Sequence, residues 1–242
     1  MPDSDLGVTG TLHESADAQR LASTTWTATD RNLGRRACYA FFALSLAYVP
    51  AMGAGFLANG GFSAPIRDPY LAIMELVILP LAVTLVVVFA AVHSYTGPSS
   101  KTLSLAAFAL GTLAAGVTSC VHLILLTVGR EASEPTLPGY DLLFSWTWPS
   151  VIYALDIAAW DLFLGSALVM AGLTFSGPGL SAIVRRGLIL SGALCLAGLL
   201  GAALGNMDVR NIGIVGYALV LPVVLLVMAR LFSVTPLTGT DP

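Results

Sequence analysis

Six apolar runs, each of about twenty residues or a little more, recur along this chain with short polar stretches between them. They fall at about 38–59, 69–93, 102–128, 148–175, 187–205 and 211–232. As helices rising 1.5 Å per residue, such runs cover the roughly 30 Å of a bilayer's hydrocarbon, with some tilt. A soluble helical protein of this size would need charged outer faces. Only 10% of the residues are charged, against about 25% in a typical soluble domain. The fold class expected is therefore all-α: a polytopic transmembrane bundle of six helices over residues 35–234.

Residues 1–34 are polar, rich in Ser, Thr and Asp, and read as a disordered N-terminal tail. No basic n-region opens the chain, which argues against a signal peptide. Trp26 in this tail suits an interfacial position. Residues 235–242 form a short C-terminal tail. Pro80 and Pro222 lie inside runs and are expected to kink them.

Lysine and arginine set the orientation. Arg20, Arg31, Arg35, Arg36, Lys101, Arg185, Arg186 and Arg230 fall on one side, and Arg67, Arg130 and Arg210 on the other. The first set should be cytoplasmic, with both termini. Glu131, Glu134, Asp141 and Asp208 then face outward.

Against this apolar background a few ionisable residues stand out. Acids at mid-membrane cost about 2.5–3.5 kcal/mol each on insertion scales. Given the topology, Glu75 in the second run lies ~9 Å below the outer surface, His122 in the third ~8–9 Å, Asp156 in the fourth ~12 Å and Asp161 ~20 Å. Three ionisable groups on three helices thus share one layer, where mutual hydrogen bonding would offset their desolvation. Gly111, Ala115, Thr118 and Ser119 lie on the His122 face. Tyr153, Asp156 and Trp160 share a face, whereas Asp161 lies about 140° from Asp156 on a regular helix. Arg210 is the cation placed to neutralise Asp156 or Glu75, and also a candidate partner for Asp208 in a tight loop. Trp146 and Trp148 suit an outer aromatic belt and are also candidate lining residues. His93 closes the second run at the cytoplasmic edge.

Ala193, Ala197, Gly201 and Gly205 recur every four residues in the fifth run, a small-residue face for close helix packing. Cys38, Cys120 and Cys195 show no metal or disulfide spacing. The net charge of −3 speaks against a nucleic-acid partner. Nucleotide-binding loops, HExxH and GxSxG elbows are absent, and Lys101, the only lysine, lies in a loop, which excludes a late-span Schiff base. His93 and His122 fall near opposite faces, against paired haem ligation. Glu75, His122 and Asp156 have donor types that suit a divalent cation, but no motif spacing accompanies them, so neither metal nor cofactor is assigned.

The stretches MELVILPLAVTLVVVFAAVH (74–93), AWDLFLGSALVMAGLTF (159–175) and RRGLILSGALCLAGLLG (185–201) resemble a family of six-helix bacterial membrane proteins of unknown function. That resemblance implies a bacterial plasma membrane and no particular activity. The intramembrane acids are also similar in chemistry to those of small integral-membrane terpene cyclases, which carry their acid in a tryptophan–glutamate pair. Here Met74 precedes Glu75.

Three functions are compatible with this pattern. In the first, a membrane-embedded enzyme performs acid/base chemistry of cyclase or isomerase type on an apolar isoprenoid or lipid-like substrate. Asp156 would be the acid, Glu75 and His122 the base and its orienter, and Tyr153, Trp160 and Trp148 would offer π faces to a cation. In the second, Glu75, Asp156 and Asp161 relay protons in a transporter or exporter. In the third, a non-catalytic protein binds lipid or a partner and uses its acids for helix pairing. The implied surroundings are the bilayer, an apolar small molecule and, as an open alternative, a homo-oligomer.

Overall fold

The computed structural model describes residues 25–58, 66–131 and 137–239. The tail through residue 24, Asn59, Glu134 and residues 240–242 lie outside the described residues. Six helices are long and apolar enough to cross a membrane. We label them α1 (Ala28–Ala58), α2 (Tyr70–Tyr95), α3 (Lys101–Leu126), α4 (Val151–Thr174), α5 (Leu180–Leu204) and α6 (Met207–Val234). Among the described residues there is no β-strand. Each helix packs on its neighbours in sequence and α6 returns to α1, so the six close a ring. Large apolar side chains such as Leu57, Leu76, Val83, Leu123, Leu200 and Leu219 remain exposed on its outside. In water they would be a liability; here they contact the lipid bilayer.

α1 starts inside the stretch that hydropathy assigned to the tail. Thr27 and Asp30 explain why. The Thr27 amide and hydroxyl donate to Asp30 Oδ2 at 3.2 and 3.0 Å, and the Asp30 amide donates back to Thr27 Oγ1 at 3.2 Å. This reciprocal cap starts the helix irrespective of the arginines that follow. Trp26, for which an interfacial position is expected, packs at the level of the span ends and is 3% exposed. Its ring meets Tyr95 at 5.4 Å and Phe232 at 5.1 Å, and Tyr95 stacks on Phe175 at 5.4 Å. The Trp26 amide donates to Thr238 Oγ1 at 2.9 Å, and the Thr238 amide donates to the Trp26 carbonyl at 3.0 Å. Both ends of the described chain therefore lie at one end of the ring, which this aromatic cluster fills. We call it the terminal end, and the opposite one the far end.

α2 continues as one helix across Pro80. Pro222 follows a π-helical segment, Val215–Val220, with Leu221 between. Proline lacks an N–H and crowds the carbonyl four residues back, so a locally widened turn relieves it. A second π segment, Ala158–Leu164, interrupts α4.

The packed face of α5 differs from the expected one. Ala193 and Gly205 are exposed, while Gly192, Cys195, Gly198 and Gly201 are buried. Gly192 lies against the Gly165 backbone of α4, where a Cβ would stand 2.5 Å from the Gly165 carbonyl oxygen. Gly205 is used for the turn instead. Its φ of +64° ends α5, and the Asn206 amide returns to the Gly201 carbonyl at 2.8 Å.

Candidate functional site

The turn between α5 and α6 sets up the site. The Asn206 side chain accepts from the amides of Asp208 and Val209 at 3.0 and 3.2 Å, capping α6 immediately after α5 ends. Arg210 thus lies in the first turn of α6, pressed against Gly198 and Gly201 of α5, where any side chain would collide with its backbone. Asp208 on the same turn is exposed. The Asp208–Arg210 pairing expected for this loop does not form, because Arg210 points into the bundle, where acids await it.

There it joins a row of five ionisable side chains drawn from four helices. Glu75 of α2 and His122 of α3 meet at 2.5 Å, Oε2 to Nδ1. His122 Nε2 stands 3.6 Å from Asp156 Oδ1 on α4. Asp156 Oδ2 accepts from Arg210 Nη2 at 3.3 Å, and Arg210 Nε lies 3.5 Å from Asp161 Oδ2. All five are at most 4% exposed. Charges buried to this extent persist only when paired, and the row pairs each with a neighbour.

The structure thus brings Glu75, His122, Asp156, Asp161 and Arg210 together. Asp161 is the one whose direction regular helical geometry misjudges. Its five-residue offset from Asp156 spans the π segment, in which residues i and i+5 come nearly into line. Both carboxylates consequently reach Arg210 from the same helix. Gly213 and Gly198 leave the room: a Cβ on either would press on the Asp161 carboxylate.

Beside this row lies a chamber of about 450 Å³ in the far half of the ring, within the usual range for small-molecule sites. Residues of α1, α2, α3, α4 and α6 wall it, and α5 contributes none. Its lining is mostly apolar and aromatic, including Tyr48, Trp146, Tyr153, Trp160 and Tyr217, with His122, Asp156 and Arg210 as the charged part. Trp160 packs on Tyr217 at 4.8 Å, joining the two π segments, and the Arg210 guanidinium lies 5.3 Å from the Tyr153 ring centre. Ser150 caps α4 by accepting from the Tyr153 amide at 3.2 Å, which fixes the depth of Tyr153 and Asp156.

Of the two tryptophans before α4, the inner one is Trp146. Its ring centre is 5.6 Å from those of both His122 and Tyr153. Trp148, expected as a lining residue, is 36% exposed and borders an outer vestibule rather than the chamber. Trp146, Thr147, Tyr153 and Met207 line both spaces, so vestibule and chamber adjoin. Tyr48 and Tyr217 were not singled out as site residues; nothing in an apolar run marks which aromatic faces inward. His93 bonds Ser104 through Nδ1 at 2.9 Å, away from the site. Among the described residues, no group of three His, Cys, Asp or Glu side chains is placed to hold a metal ion.

Fold and site together define a multi-pass membrane helical bundle with a buried ionic row beside an apolar chamber. No family model matches the chain, and neither does any curated protein or solved structure.

Proposed function

We propose that this protein is a membrane-embedded enzyme moving protons to and from an apolar substrate, isoprenoid or lipid-like, in a cyclisation or isomerisation. One observation carries the reading. His122 lines the chamber with Nδ1 held by Glu75, and its Nε2, 3.6 Å from Asp156, has no hydrogen-bond partner among the described residues. A carboxylate on one ring nitrogen orients the imidazole and leaves the other to exchange a proton. His122 thereby takes the acid role that sequence alone assigned to Asp156, because Asp156 is committed to Arg210.

In the step proposed, the Nε2–H bond of the imidazolium breaks as a C–H bond forms on a substrate alkene. The aromatic rings of Tyr153, Trp160 and Tyr217 face the resulting carbocation. A neighbouring C–H bond then releases its proton to Nε2, leaving a shifted double bond and the imidazolium restored. No redox partner is needed. Three carboxylates face one guanidinium and one imidazole, so the fully ionised row carries an uncompensated negative charge even with His122 protonated. By charge count alone it is a proton store.

The resemblance in 74–93 and 159–201 supports a bacterial plasma membrane. The arginine asymmetry supports cytoplasmic termini, and the far end would then face outward. The chamber is complete within one chain, so the proposal needs no homo-oligomer. Purified protein in lipid nanodiscs, given linear isoprenoids in deuterium oxide, should place deuterium on substrate carbon. His122→Gln should stop this while preserving the fold, and no carbon-bound deuterium with the unaltered protein would end the proposal.

A second reading, proton-coupled transport, is favoured by the continuity of the row from Glu75 inward to Asp161. It requires a pH gradient to drive solute flux in proteoliposomes. A protein that uses its acids only for helix pairing would show neither activity.

A further inference from the structure

We propose that the chamber takes its ligand sideways from the bilayer, as a membrane-dissolved linear isoprenoid chain passing through a seam between α1 and α6. This rests on the chamber being a site for an apolar molecule, and extends that reading to a route.

The two halves of α6 are held differently. Leu221–Val234 packs on α1, with the Phe232 ring beneath Gly34. Met207–Val220 packs on α5 instead. There the Ser191 hydroxyl donates to the Gly216 carbonyl at 2.8 Å, and Gly198 and Gly201 abut the Arg210 backbone. The helices run antiparallel, so the Gly34–Phe232 contact sets Tyr48 and Met52 of α1 at the level of Ile214, Tyr217 and Ala218 of α6. All five line the chamber. At this level the chamber itself stands between α1 and α6.

What borders the seam suits a chain dissolved in lipid. Residues 41–58 of α1 and 211–229 of α6 contain no charged side chain. Leu46, Val215 and Leu219 are exposed at their outer faces, and Val49, also exposed, lines the chamber. Both helices are also irregular here. Pro50 in α1 cannot donate to the carbonyl of Leu46, and α6 carries its π segment Val215–Val220. A helix pair with an interrupted hydrogen-bond ladder on each side widens at less cost than two regular helices. The vestibule at the far end has the opposite character. Thr147, Asn206 and Asp208 border it, which suits water and protons.

Full-length protein in nanodiscs would be loaded with a linear isoprenoid alcohol carrying a diazirine, illuminated, and mapped by peptide mass spectrometry. Labelling is expected on Trp160 or Tyr217, inside the chamber. Ala218→Trp fills the seam from α6 and should abolish that labelling. Met52→Trp, filling it from α1, should do the same if the first variant folds poorly. Asp208→Trp narrows the vestibule, which Asp208 borders without lining the chamber, and should leave the labelling in place. Chamber labelling that survives both seam substitutions, or that is lost with Asp208→Trp, overturns the route while leaving an apolar chamber. The absence of chamber labelling in the unaltered protein overturns it as well. Deuterium incorporation is read separately, so failure of the route and failure of the chemistry are distinguishable.

Discussion

Replacing Arg210 with methionine should be among the most damaging single changes in the bundle. The guanidinium lies 3.3 Å from Asp156 and 3.5 Å from Asp161, and Asp161 is wholly buried. At an effective dielectric constant near 20, charges at such separations attract by about 5 kcal/mol per pair. Arginine's own desolvation offsets much of this, and removing one partner of a buried pair typically costs about 3–5 kcal/mol net. Arg210→Met strands two carboxylates at once, so the upper part of that range applies. At about 2–4 °C per kcal/mol for a chain of this size, the melting temperature in mild detergent should fall by roughly 8–20 °C. Adding Asp156→Asn and Asp161→Asn to Arg210→Met should recover most of the loss, because a neutral cluster leaves no stranded charge. The readout is tryptophan fluorescence during a thermal ramp. A single variant melting within about 2 °C of the unaltered protein, or a triple variant no better than the single, refutes this account of the row.

Three further outcomes follow from local geometry. Trp26→Ala removes a ring packed on Tyr95 and Phe232 and should cost about 3–5 kcal/mol, seen as a lower melting temperature, yet leave deuterium incorporation at the far-end chamber intact. Arg130→Gln breaks the pair with Asp68, whose side chains are 40% and 42% exposed; the loss should be about 0–1 kcal/mol, and a shift as large as that of Arg210→Met would contradict the distinction between surface and buried pairs. Tyr140, outside the spans, donates to the Gly129 carbonyl at 2.6 Å, and burial, then Asp141, raises its phenol above the ordinary range. With the folded value the higher, that contribution is present below the unfolded phenol's pKa of about 10 and lost as pH rises through the folded one; Tyr140→Phe should remove this alkaline loss of stability, measured as melting temperature against pH.

The spans were legible because a bilayer sets one length for every helix. Depth along those spans was legible too, which is why Glu75, His122 and Asp156 could be put in one layer from sequence. Azimuth was not. The face of Asp161 depends on a π segment, and no local signal in AAWDLFL announces one. For Arg210 the pairing with Asp156 was legible, and only the alternative partner in the loop failed. Its nearest acid in sequence is Asp208, but the backbone contact with Gly198 and Gly201 turns it inward, and that contact exists only once α5 and α6 pack. On α5 the spacing of Ala193, Ala197, Gly201 and Gly205 was real but did not decide the face, since Gly205 was needed for a left-handed turn. The start of α1 was readable after all: Thr27-Ala28-Thr29-Asp30 is a capping box, outweighed in a hydropathy reading by Arg31, Arg35 and Arg36.

The central claim is that Glu75 and Asp156 flank the His122 imidazole from separate helices. Solid-state NMR of histidine ring nitrogens in lipid bilayers tests it most directly, comparing the unaltered protein with Glu75→Gln and Asp156→Asn. Both substitutions should move the His122 ring-nitrogen signals and leave those of His93, bonded to Ser104, in place. His122 signals unchanged in both variants would contradict the claim.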